Sequence, residues 1–176
     1  DKNDAESARW ALLSAEAGLA RAQVVAGQIR ASGIGVERDA AEARRWYTLA
    51  AEGGDPEGML LLARLIEADS ADPLAPELAL AWARRAADKS YAPAYVHLAA
   101  IYSGGGAQTD YAESARWLEK AIQAGYKDNA VWVAWSWACL NLGRYDEVLQ
   151  AATQVPNDAP EFKAAQINHA HALLLN

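Results

Sequence analysis

Four tryptophans recur at near-constant intervals: Trp10, Trp46, Trp82 and Trp117 lie 36, 36 and 35 residues apart. Spacing that regular marks an internal repeat, and a repeat of this length is one supersecondary unit that buries its apolar face by stacking on copies of itself. Each tryptophan sits in a similar string: "DAESARWALLSAEAG" from Asp4, "DAAEARRWYTLAAEGG" from Asp39, "APELALAWARRAADKS" from Ala75 and "DYAESARWLEKAIQAG" from Asp110. Apolar and small residues within the strings fall at helical spacing, as at Ala43, Trp46, Tyr47 and Ala50, so each string reads as an amphipathic helix. Alanines beside the tryptophan let a neighbouring helix come close, and the indole is expected to plug the gap between consecutive helix pairs. Asp39 and Asp110 stand where N-cap carboxylates accept orphan backbone N–H groups, and Gly53 and Gly125 where a left-handed helix end is expected.

Ahead of each tryptophan helix runs another helical stretch: "LARAQVVAGQIRASG" from Leu19, "DPEGMLLLARLIEAD" from Asp55 and "APAYVHLAAIYSGGG" from Ala92. These first helices end in turn-forming residues, at Gly33 and Gly35, at Asp69 to Pro73, and at Gly104 to Gly106. With no alternating β-branched segment between them, the fold class expected is all-α: an α-solenoid, a right-handed α-α superhelix of stacked antiparallel helix pairs. The expected division of the single 1–176 domain is a lone second helix at 4–18, repeats at 19–54, 55–90 and 91–125, a shorter unit at 126–158 and a terminal helix at 160–176.

These residues resemble the Sel1-like repeats, tetratricopeptide-like helix pairs with a longer interhelical loop. The stretch "ARAQVVAGQIRASGIGVERDAAEARRWYTLAAEGG" is similar to the family pattern of small residue, Gly, Gly-x-Gly-Val loop, Asp, Ala, Trp-Tyr, Ala-Ala and Gly. The copy closing on Gly125 fits nearly as well, whereas "EADSADPLAPE" replaces the glycine loop in the middle copy. After Gly125, a short Leu-Gly-x-Tyr turn at Leu142 to Tyr145 resembles an ordinary tetratricopeptide unit, and Pro160 is expected to start the terminal helix. The resemblance implies a non-catalytic scaffold or adaptor, bacterial in character, that binds a protein or peptide on the concave face lined by first helices. Matching the pattern puts Arg21, Val24 and Gln28 on that face, then Glu57, Leu60, Arg64 and Glu67, then Val96, Ala100 and Ser103. The shorter unit would add Ala130, Val133, Trp137, Leu140 and Asn141. Trp132, Trp135 and Trp137 cannot all face one neighbour, because residues 132 and 137 lie about 140° apart around a helix. Trp137 therefore either anchors a partner, as aromatic residues do at interface hot spots, or packs on the last helix. The resemblance also admits a neutraliser that caps a toxic secreted effector.

Composition narrows the remaining classes. A formal net charge of −7 gives no clustered Lys and Arg for nucleic acid or an anionic membrane. The longest nearly apolar run, Ala130 to Leu142, is shorter than the about 20 residues that span a bilayer. No signal peptide is visible at Asp1. The chain opens inside a repeat, which is compatible with further repeats or an export signal upstream, in a bacterial cytoplasm or periplasm. No cofactor, metal or catalytic group is expected. Cys139 lies in an apolar helix, where burial raises a thiol pKa without activating it. His169 and His171, two residues apart, point about 200° apart rather than pairing on one face as chelating i, i+4 histidines do. His97 reads as an interior histidine, and the glycine loops follow helices where phosphate-binding loops follow strands. Glu42, Glu52, Asp69, Asp72 and Glu77 lack calcium-loop spacing and read as a solvated face.

Overall fold

A computed structural model of the chain describes residues 2–68, 73–104 and 109–175, and among them helix is the only regular structure. The helices are α1 (Lys2–Glu16), α2 (Ala20–Ser32), α3 (Ala40–Glu52), α4 (Pro56–Glu67), α5 (Ala75–Asp88), α6 (Ala92–Ser103), α7 (Tyr111–Gln123), α8 (Asn129–Asn141), α9 (Tyr145–Ala152) and α10 (Phe162–Leu175). They form two compact units, Asp1–Tyr91 and Ala92–Asn176. Within the first, each helix from α1 to α5 packs on the next, and α2 also meets α4. Within the second, α6 to α10 pack in chain order and α10 also meets α8. This nearest-neighbour packing is how a repeat array buries the stripe that one helix pair leaves open.

Side-chain caps start α3, α4 and α7. The Asp39 carboxylate accepts from the Glu42 N–H at 2.9 Å, and Asp110 accepts from Ala112 and Glu113 at 2.9 and 3.0 Å. Asp55 accepts from Gly58, with Pro56 in the first turn, where its missing N–H costs nothing. Glu42 then turns to Arg30 on α2, with Arg30 Nε 2.8 Å from the carboxylate, tying the two helices of the pair.

The helix ends correct one sequence expectation. Gly53 is right-handed (φ −69) and the left-handed residue is Gly54 (φ 87), while Gly125 is left-handed (φ 85). The reason is register. Gly54 and Gly125 both stand eight residues after their tryptophan, and there the chain closes a Schellman motif. Asp55 N–H bonds Ala50 O while Gly54 N–H bonds Ala51 O; Tyr126 and Gly125 repeat both bonds onto Ala121 and Ile122. The same position is Gly18 (φ 84) after Trp10 and Ser90 (φ 59) after Trp82. Ser90 thus holds a left-handed conformation that costs a residue with a Cβ about 1–2 kcal/mol. Ser90→Gly should raise the unfolding free energy by about 0.5–1 kcal/mol once the extra freedom of glycine in the unfolded chain is set against that strain. A urea titration showing a loss would sink the assignment.

In the first unit, Trp46 is buried (5% exposed) on Ala15 of α1 and Ala26 of α2, with Leu12, Ala22 and Leu49 around it. Trp82 and Trp117 are half-buried, with Arg85 and Lys120 each 4.1 Å from the ring centroid. Trp10 departs from the expected plug: it is 63% exposed. Trp46 owes its burial to α1 and α2, the helices before its own. Gly33 (φ 77) ends α2, and Gly35 (φ 74) passes so close to the backbone of Asp4 on α1 that a Cβ would collide with it.

The second unit centres on Leu98, Leu118, Val131, Trp135, Cys139 and Val148, all buried. Buried Ser114 of α7 donates to Ala99 O of α6 at 2.9 Å. The shorter turn leaves α8 through Gly143 (φ 71), with Arg144 N–H on Cys139 O at 2.9 Å. The terminal helix begins at Phe162, two residues after Pro160. It docks by a buried polar pair in which Asn168 donates to the Ser136 hydroxyl at 2.7 Å, and Ser136 donates to Val133 O at 2.8 Å.

Candidate interaction surface

On the first unit, three of the expected surface residues meet. The Arg21 guanidinium of α2 pairs with the Glu57 carboxylate of α4, and Gln28 Nε2 donates to the other Glu57 oxygen at 2.9 Å. Residues 21 and 28 are nearly aligned on a helix, so one carboxylate reaches both donors. Arg64 and Glu67 are exposed on α4. Val24 and Leu60 are not on this surface. They are 0% and 3% exposed, because a residue three positions on from Arg21 or Glu57 turns about 60° towards the core. The exposed strip is narrower than the sequence pattern suggested.

Tyr91 belongs to this strip and was not singled out from the sequence. Burial, and then the Glu57 carboxylate, push its phenol above the usual tyrosine range, while Arg21 and Arg64 pull the other way. Burial and Glu57 raise Tyr47 in the same direction. A signal was present in the repeat itself, since Tyr91 stands 36 residues after Asp55 at the same position of the next repeat.

On the second unit, Ala100, Ala130, Trp137 and Asn141 are exposed, and Val96, Ser103, Val133 and Leu140 are half-buried. Trp137 is 43% exposed, so it is neither a core residue nor covered by α10, which docks through Ser136 and Val133. Asn141 folds back along its own helix, its amide donating to Trp137 O at 2.8 Å, and Ser103 likewise bonds Ala100 O. Elsewhere in this unit Arg144 joins two carboxylates, Glu119 of α7 at 2.9 Å and Glu147 of α9 through Nε at 2.8 Å. Trp135 Nε1 donates to Glu119 at 3.4 Å. This ion network pins α7, α8 and α9 together.

Cys139 is wholly buried, and burial pushes its thiol up to about 12, which disarms it as a nucleophile. His169 is half-buried and His171 exposed. Among the described residues no group of three or more His, Cys, Asp or Glu could hold a metal ion, and no helix is long and apolar enough to cross a membrane. Glu42 is paired with Arg30, and Glu52 and Glu77 are exposed. Asp69, Asp72, Gly105, Gly106 and most of the middle repeat's loop lie outside the described residues.

Sequence comparison matches the Sel1 repeat at residues 1–19, 20–55, 56–91 and 92–126. The chain belongs to the Sel1 repeat family. Sel1 repeats are generally non-catalytic and suggest a protein–protein interaction scaffold. The fold is that of solved Sel1 solenoids. A protective antigen present in uropathogenic Escherichia coli strains, described as having an SLR fold, superposes with a TM-score of 0.77 at 26% identity, over 98% of this chain and 37% of that one. A Sel1 repeat protein from Oxalobacter formigenes gives 0.68 at 20% identity, over 98% of this chain and 80% of that one. Among curated proteins, the chitin synthase regulator SKT5 of Malassezia restricta is 44% identical over 54 residues, 31% of this chain. The chain spans 4% of that regulator's length.

Proposed function

We propose that this Sel1 repeat chain is a non-catalytic scaffold that binds a protein partner through the exposed faces of its first helices. The observation that carries this reading is the convergence of Arg21, Gln28 and Glu57 from two successive repeats on one surface, with Arg64 exposed on α4. Side chains that fill no core and hold a fixed polar arrangement are suited to contacting another protein, and arginine is over-represented among the residues that dominate such contacts. Within each unit the packing of successive helices supplies the frame that presents these side chains.

The test is capture of partners from a lysate of the source organism by the immobilised chain, repeated with Arg64→Glu and Trp137→Ala variants whose helical circular dichroism is unchanged. Both substitutions are at exposed positions and should leave stability within about 0.5 kcal/mol. We expect a captured protein to be lost with these variants. Equal capture by all three chains would place binding on other faces and overturn the reading.

A further inference from the structure

The Glu57 carboxylate is held by two donors from the preceding repeat, the Arg21 guanidinium and Gln28 Nε2. Repeats at 20–55, 56–91 and 92–126 put residues 36 apart in register. Arg64 therefore stands on α4 where Gln28 stands on α2, and Pro93 is the second residue of α6 as Glu57 is of α4. One repeat on, the donor has become a guanidinium and the acceptor a proline. Nothing on α6 replaces the lost carboxylate, since that helix contains no Asp or Glu.

The charges around Arg64 on its own unit are otherwise engaged. Glu57 is satisfied by Arg21 and Gln28, and Asp55 caps α4 by accepting from the Gly58 N–H at 2.9 Å. Glu67 is exposed three residues on from Arg64, about 60° round the helix, and an arginine that precedes its carboxylate is the weaker order for a pair within a helix. Exposed Arg64 makes no hydrogen bond or ion pair with a described residue. Half-buried Tyr91, which closes this repeat, feels both Arg64 and Arg21. Held above the usual tyrosine range chiefly by burial, its phenol keeps the O–H, which no described residue accepts. Arg64 and Tyr91 are thus neighbouring donors, one of them charged, with no acceptor among the described residues.

We infer that Arg64 receives a side-chain carboxylate from an acidic segment of the partner protein, in the role that Glu57 plays for Gln28. The inference rests on the first-helix reading above and gives it a chemical class at one residue. Charge complementarity selects the occupant. A guanidinium pairs with a planar carboxylate through two parallel N–H bonds, whereas an apolar segment laid over it would strip its water and return no bond.

Panning a random-peptide phage library against the folded chain tests this, with each peptide joined to the coat protein through its C-terminus so that side chains supply the only carboxylates. We expect the selected peptides to be enriched in Asp and Glu over the unselected pool. Made with amidated C-termini, they should bind Arg64→Gln about tenfold or more weakly than the parent chain, and Arg64→Glu more weakly still. Tyr91→Phe should have a smaller effect in the same direction, and rising salt should weaken binding throughout. Arg9→Glu, the same change of charge at an exposed position on α1, should leave affinity within about twofold. Circular dichroism checks each fold. Peptides without Asp or Glu that still depend on Arg64, or peptides that depend on Trp137 and ignore Arg64, would overturn the carboxylate and leave first-helix binding standing. Acidic peptides weakened as much by Arg9→Glu as by Arg64→Glu would reduce the effect to overall charge and overturn the site. Peptides indifferent to Arg64→Gln and Trp137→Ala alike, or no selection above background, would sink both readings.

Discussion

Trp46→Ala is expected to lower the unfolding free energy by about 3–5 kcal/mol, while Trp10→Ala, at the same position of the repeat, should change it by less than about 0.5 kcal/mol. The two tryptophans share a motif and differ in surroundings. Trp46 is 5% exposed and enclosed by Ala15, Ala26, Leu12, Ala22 and Leu49, so its removal opens a cavity among helices that relax only partly. Trp10 is 63% exposed, and its loss leaves most of its surroundings as they were. The Trp46 indole N–H has no hydrogen-bond partner among the described residues, so the expected loss is one of packing rather than of a polar contact. Trp82 and Trp117, half-buried beneath Arg85 and Lys120, should fall between the two limits. Urea titrations of the four alanine variants give the comparison directly. A Trp10→Ala loss as large as that of Trp46→Ala would mean that Trp10 is packed in solution, and a neutral Trp46→Ala would remove the indole from its structural role.

The contrast shows which features could be read along the chain and which could not. Tryptophan spacing and helical periodicity placed the helices, because both depend on residues a few positions apart in one repeat. The caps at Asp39 and Asp110 were legible for the same reason, since an N-cap carboxylate bonds a backbone N–H only two or three residues on. The left-handed end was misplaced by one residue because Gly53 and Gly54 are the same by composition. What separates them is the pair of bonds from Asp55 to Ala50 and from Gly54 to Ala51, which periodicity does not contain. Ser90, at the position that is glycine in the other copies, shows that register decides the conformation even where the residue disfavours it. The width of the exposed strip was overestimated at Val24 and Leu60, whose exposure depends on how the neighbouring helices close over them. The Glu119–Arg144–Glu147 network was missed altogether. One of its carboxylates is 25 residues from the guanidinium, and an ion pair from α7 to the turn before α9 leaves no periodic trace.

The thiol of Cys139 should react with iodoacetamide about a thousandfold more slowly in the folded chain than in the urea-unfolded chain at pH 8. Burial pushes its pKa from an ordinary 9.0 up to about 12. Arg144 opposes that shift, and the Glu147 and Glu119 carboxylates reinforce it. At pH 8 a thiol of pKa 9.0 is about one tenth thiolate, and one of about 12 is about one part in ten thousand, so the reactive species falls by about a thousandfold. The sulfur is also wholly enclosed and directs its hydrogen towards Glu147 Oε2, 3.7 Å away. The same shift predicts how stability follows pH. A group that is harder to deprotonate when folded contributes its full stabilisation below its unfolded pKa, so the chain should lose stability as pH rises from about 9 to about 12. Tyr47, also raised by burial, adds to the loss in that range. In Cys139→Ala the decline should therefore be shallower without vanishing, which urea midpoints at pH 8 and above would measure. Alkylation of the folded chain at the unfolded rate would show that α8 opens readily enough to expose its core side, and the ion network of Arg144 would then not be holding α7, α8 and α9 as the structure places them.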